Sequence, residues 1–185
     1  MSQWTYPHTI DNGHGEQLTF VRREKGPDGE RLIVTNNVGP GSGPPMHVHF
    51  RQREGLTVLE GRLAYQKPGE EVKYAGPGDS VDFAAGEAHR FWNAGEGVMR
   101  CEGYIMPPDN IEYFLTKIYE SARENGGGRP GTFDSAFLLD RYRSEFDMLV
   151  IPPLVKKVIF PIALLMGKLT GKAKKYADAP VPVGG

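Results

Sequence analysis

Over the first hundred residues the apolar positions gather in short runs that read as strands. "QLTFVRRE" (17–24) and "RLIVTNNV" (31–38) show the pattern, with the turn signal "KGPDGE" between them. It continues through "PMHVHF", "GLTVLEG", "RLAYQK", "EEVKYA", "DSVDFA", "AHRFWN" and "VMRCEGYIM", with Gly, Pro, Asn or Asp between most of them. Many close-set strands punctuated in this way predict a sandwich or barrel.

After "MPPDN" the period changes. Ile111, Leu115, Ile118 and Ala122 follow helical spacing, with Asp109 as N-cap and three glycines beyond the end. A second helix is expected over 132–146, with Phe137, Leu138, Tyr142 and Phe146 near one side, and a third over 153–171, kinked at Pro161. The last eight residues, "DAPVPVGG", read as a loose tail. The expected organisation is a mainly β domain over 1–106 and an α-helical extension of three helices over 107–185.

Charge and composition narrow the function. The formal net charge of -1 argues against a nucleic-acid binder. Six lysines against one acid, Asp178, make the last 35 residues basic. The one cysteine, Cys101, excludes an internal disulfide and a thiolate cage, and it reads as a small core residue. "MSQWTYPHTI" lacks the basic start and apolar run of a signal peptide, so a cytoplasmic location is expected. No apolar stretch reaches the roughly 20 residues that a spanning helix needs.

The third helix carries Leu154, Val158, Ile162, Leu165 and Leu169 on one side, with Val155, Ile159 and Met166 adjacent. The expectation is that this face docks on the barrel or on a second copy, giving a homodimer. The alternative is peripheral contact of this basic helix with an anionic membrane surface.

The chemistry concentrates in "MHVHFRQRE". In an extended strand residues i and i+2 share a face, so His47 and His49 project together. Glu54 lies an odd five residues beyond His49 and must arrive through a turn or bulge, for which "FRQR" leaves room. Two imidazoles and a carboxylate suit iron, manganese, nickel or zinc. His89, in "GEAHRFWN", is the one histidine further along and is the candidate fourth ligand, whereas His8 and His14 read as surface residues. Metal binding should weaken as pH falls through about 6.5, because protonated imidazole cannot ligate. By alternation Leu56 and Val58 share the face of Glu54, and Phe91 that of His89, as apolar pocket lining. Tyr104 and Arg100 lie opposite the apolar face of "VMRCEGYIM" and are expected outside, or else as anchors for a polar substrate.

These residues resemble the two motifs of the cupin superfamily. The first is matched by Gly41, His47, His49, Glu54 and Gly61, the second by Gly78, Gly86, His89 and Asn93. Ala84 stands where the family usually has proline, which should cost the turn before Gly86 some rigidity. The resemblance implies a double-stranded β-helix, or jelly-roll barrel, holding one divalent metal on His47, His49, Glu54 and His89. It implies a small-molecule substrate or ligand and a quercetin-dioxygenase-like type, with Glu54 as ligand or base. The alternatives are a non-catalytic binding or sensing cupin and a sugar isomerase or epimerase. The last would want a base independent of the metal set, and the sequence names none.

Overall fold

The computed structural model describes residues 4–184. The alternating segments become strands: β1 (His8–Asp11), β2 (Glu16–Gly26), β3 (Gly29–Val38), β4 (His47–His49), β5 (Arg53–Glu60), β6 (Leu63–Gln66), β7 (Lys73–Ala75), β8 (Ser80–Phe83), β9 (Arg90–Asn93) and β10 (Met99–Met106). β1 is too short and polar to show a period. Its pairing with β2, His8 opposite Phe20, draws His8 from its expected surface position into a stack between Trp4 (4.6 Å) and Phe20 (6.0 Å).

One antiparallel sheet runs β1-β2-β3-β10-β5-β8, and a smaller one runs β7-β6-β9. β4 joins the smaller layer through a reciprocal backbone pair, His47 with His89, at 2.9 Å each way. The β5–β8 side of the large sheet encloses an apolar core that includes Leu56, Val58, Leu63, Phe83, Phe91, Met99 and Cys101. The chain is thus mainly β, with a double-stranded β-helix and helices after it.

The extension comprises α1 (Ile111–Glu124), α2 (Thr132–Arg141), a strand β11 (Phe146–Met148), a π-helical turn (Val155–Ile159) leading into α3 (Phe160–Leu169), and a short 3-10 helix (Lys172–Tyr176). It covers the β1–β3 side of the large sheet. Phe20, Leu32, Val34 and Ile105 share one core with Tyr113, Phe114, Leu138, Tyr142 and Phe146. A boundary near residue 106 therefore separates element types but not cores.

Besides the N-cap of α1, which is Asn110 and not Asp109, three expectations for the extension change. The second helix stops at Arg141, and Phe146, expected on its face, instead opens β11, which pairs antiparallel with β4. The fully buried Glu145 carboxylate fixes this turn by accepting from the Asn110 backbone N–H (3.1 Å), the Asn110 side-chain amide (2.7 Å) and the Val183 N–H (2.9 Å). The tail is tied down rather than loose. Arg141 and Tyr142 donate to the Pro180 carbonyl, Ser144 to that of Val183 and Asn110 to that of Val181.

The third change concerns α3. The break expected at Pro161 takes the form of the π-helical turn before it, where the Phe160 N–H bonds back to Val155. The face expected to dock is exposed, while Phe160 and Gly167 face inward, with Gly167 against Phe133. A bulkier residue at 167 would collide with that ring, so the close approach selects which side turns in.

Candidate metal centre

β4 and β5 lie in opposite layers, and Phe50–Gln52 cross between them. This crossing is why an odd spacing works: His47 and His49 project from one layer and Glu54, the first inward position of β5, meets them from the other. His89 is locked opposite His47 by the reciprocal backbone pair. The turn before β4 seats against β9 because Gly43 has no side chain; a Cβ there would lie 2.2 Å from the Phe91 carbonyl oxygen.

The four side chains converge, with one ligand atom from each within 4.8 Å of all the others. His89 Nε2 lies 3.3 Å and His49 Nε2 3.5 Å from the same Glu54 oxygen. The outer nitrogens fix two tautomers. His47 Nδ1 donates to the Pro45 carbonyl (2.8 Å) and His89 Nδ1 to that of Glu87 (2.9 Å), so each Nε2 is left as a lone-pair donor. His49 Nδ1 is buried with no partner; packing against the edge of Phe146, with ring centroids 5.5 Å apart, holds that ring.

Burial penalises imidazolium, and the neighbouring histidines add to the penalty, so His47 is pushed down to about 3. His49 is lowered as well, by burial first and then by His89. Burial acts to raise Glu54, but its pairing with His89 first, and then with His49 and His47, outweighs burial and holds the carboxyl at about 2. At neutral pH His47 and His49 are thus neutral and Glu54 ionised, the forms that ligate a divalent cation. For His47, proton competition moves from about 6.5 down to about 3.

The expected lining residues divide. Leu56, Val58 and Phe91 are buried inside the barrel. Tyr104 and Arg100 face outward from β10. The Tyr104 hydroxyl donates to Asp82 over Gly55, and Arg100 pairs with Glu60 at the solvent surface, so neither can anchor a ligand inside. Cys101 is buried in the core, and burial raises its thiol to about 11, which suits packing and not attack.

Sequence reasoning missed two aromatic walls. Phe83 stacks on His89 at 3.8 Å and nearly parallel, and Phe146 comes from the extension. It also missed a buried acid. Glu16 accepts from the Asn36 amide (3.1 Å) and the Tyr119 hydroxyl. Burial raises its pKa against those bonds, and the charge of Glu54 reaches both Glu16 and Tyr119 in the same direction. Inward alternation along β2 could have flagged Glu16; Tyr119 could not be placed without the docking of α1. Asn36 Oδ1 and both amide atoms of Gln52 are buried without protein partners, which leaves hydrogen-bonding capacity for a polar ligand.

The motif positions that do not ligate hold the frame. Asn93 donates to the carbonyls of Val38 and Gly97, both at 2.7 Å, and ties the two layers together. At Ala84, the departure from the usual proline, the backbone N–H donates to Glu87 (3.1 Å), and Lys67 pairs with the same carboxylate. Proline has no N–H to give. A side-chain clamp stands in for the ring.

Residues 35–105, the stretch that carries all four candidate ligands, match the family model described as the Cupin domain. A protein of Hypocrea virens (strain Gv29-8 / FGSC 10586) described as "Probable oxidoreductase virH" is 26% identical over 116 residues, 62% of this chain and 45% of that protein. The chain thus spans less than half the length of that relative. Among solved structures, KdgF from Halomonas sp. is 19% identical at a TM-score of 0.44, over 53% of this chain and 86% of that one. A Klebsiella pneumoniae subsp. pneumoniae MGH 78578 protein with a double-stranded beta-helix domain is also 19% identical, at 0.43, over 57% and 82%.

Proposed function

We propose that the chain is a metal-dependent enzyme acting on a small, oxygen-bearing molecule, of oxidoreductase and dioxygenase-like type. The observation that carries this reading is the convergence of His47, His49, Glu54 and His89 inside a barrel walled by Phe83 and Phe146. Four protein donors leave open positions on a six-coordinate ion, and iron or manganese bound there would supply Lewis-acid and redox chemistry. The aromatic and aliphatic walls exclude water and strengthen every charge inside. Glu54, held at about 2, is too weak a base at neutral pH and serves as a ligand. The relative described as an oxidoreductase supports this class of reaction.

Metal analysis of protein purified without added metal tests the reading, followed by nitric oxide titration of the iron(II) form. Iron or manganese, and a nitrosyl spectrum lost in His49→Ala, are expected. Zinc alone, with no nitric oxide binding by the iron-loaded protein, would refute oxygen chemistry.

Glu16 favours a second reading, in which the enzyme is an isomerase or epimerase. That chemistry needs a proton carrier apart from the metal set, and Glu16, raised by burial and bonded to Tyr119, has the character of one. Solvent deuterium entering a hydroxy-ketone or sugar substrate, and failing to do so in Glu16→Gln at unchanged metal content, would select it.

A further inference from the structure

We propose that the outer face of α3 seats the protein on an anionic phospholipid surface. Seven large apolar side chains, Leu154, Val158, Ile159, Ile162, Leu165, Met166 and Leu169, are 43% to 73% exposed along one helix. Leu149 and Val150, a few residues before it in sequence, are exposed as well. Apolar patches of more than a few hundred Å² are rare on monomeric proteins and mark interaction sites.

Charge identifies the occupant. From Met148 to Ala177 the sequence has no Asp or Glu. Lys156 is bound to Asp147, and Lys175 to Glu124 and Asp134. Lys157, Lys168, Lys172 and Lys174 are exposed and, among the described residues, make no ion pair. Lys157 and Lys168 are each next in sequence to an exposed residue of the apolar stripe, Val158 and Leu169. A second copy packed crest to crest would bring Lys157 and Lys168 against a segment, Met148 to Ala177, that holds no acid of its own to answer them. Lipid phosphates and phosphatidylserine carboxylates do answer them, with the apolar crest sunk to the acyl boundary. No helix among the described residues is long and apolar enough to cross a bilayer, so the helix lies on the surface.

The test is flotation of the full chain with vesicles of phosphatidylcholine, with and without phosphatidylserine. Flotation with the anionic vesicles at low salt, weakened by added salt, is expected. Ile162→Ser with Leu165→Ser should lower partitioning at least about tenfold, since both lose buried area only when lipid is present. Lys157→Glu with Lys168→Glu should abolish the preference for anionic over neutral vesicles. All four side chains are exposed, so circular dichroism and metal content should match the parent. Absence of flotation by the parent overturns the proposal, as does equal flotation by the serine variant. A dimer in light scattering that the serine variant converts to monomer, with no vesicle binding, would assign the face to a second copy instead.

Discussion

Replacing Phe146 by alanine should damage the candidate metal centre from outside the stretch that matches the Cupin domain. Phe146 is buried, stands in register opposite His49 and packs on Phe114 with ring centroids 4.8 Å apart. Emptying such a position costs about 3–5 kcal/mol. For a chain of 185 residues, at about 2–4 °C per kcal/mol, that lowers Tm by about 6–20 °C. The effect on metal has a separate cause. His47 and His89 are each anchored by a backbone carbonyl, whereas His49 has no partner on Nδ1 and depends on the aromatic edge. Losing that support should weaken metal affinity by about 10- to 100-fold. Phe146→Leu, which keeps most of the volume, should cost about 1–2 kcal/mol and leave affinity close to the parent's. Calorimetry of metal-free protein gives the first quantity and competition against a chelating dye the second. An affinity unchanged in Phe146→Ala, alongside the expected fall in Tm, would refute the claim that the extension positions His49.

His47→Ala with His49→Ala should abolish metal binding in a folded protein, and full retention by elemental analysis would disprove the ligand set. Metal-free protein should lose stability in acid: His47 is lower in the folded chain (about 3) than its ordinary 6.5, so the folded state binds fewer protons, and its contribution, complete above about 6.5, is lost as pH falls toward 3. Glu54 (about 2 against 4.5) acts in the same direction between 4.5 and 2, and urea titrations from pH 7 to 2 that show a flat midpoint would contradict both. Glu87→Ala removes the clamp on the Ala84 N–H and should cost about 1 kcal/mol, while Glu87→Ala with Ala84→Pro should recover part of it, read from the denaturation midpoint.

Strands such as β2, β3, β8 and β10 were legible because one face lies in a core and the other toward solvent, whereas β4 is buried throughout and was legible from its histidines and flanking turns. The candidate ligands were legible because two of them share a strand face and because the motif spacings are tight. What escaped depended on contacts between distant segments. Phe146 satisfies helical spacing with Tyr142 and Leu138, yet the backbone of β4 offers it a ladder and Glu145 caps the turn, so tertiary pairing overrides local periodicity. The apolar stripe of α3 was visible, but not which side turns inward; that choice lies with Gly167, where the absence of a side chain lets Phe133 approach. Glu16 reads as one more charged strand residue until Tyr119 and Asn36 close over it.

The pairing of β11 with β4 also sets a timetable. During synthesis the ligands emerge by residue 89, well before Phe146–Met148 leave the ribosome. The interval between His49 and its partner strand spans more than half of the chain. Contacts of such separation form late, because a long loop must close before they return any stabilisation. A nascent chain therefore carries three histidines and a glutamate whose surroundings are incomplete. An ion held there would meet the site without its Phe146 wall until the last third of the polypeptide has docked.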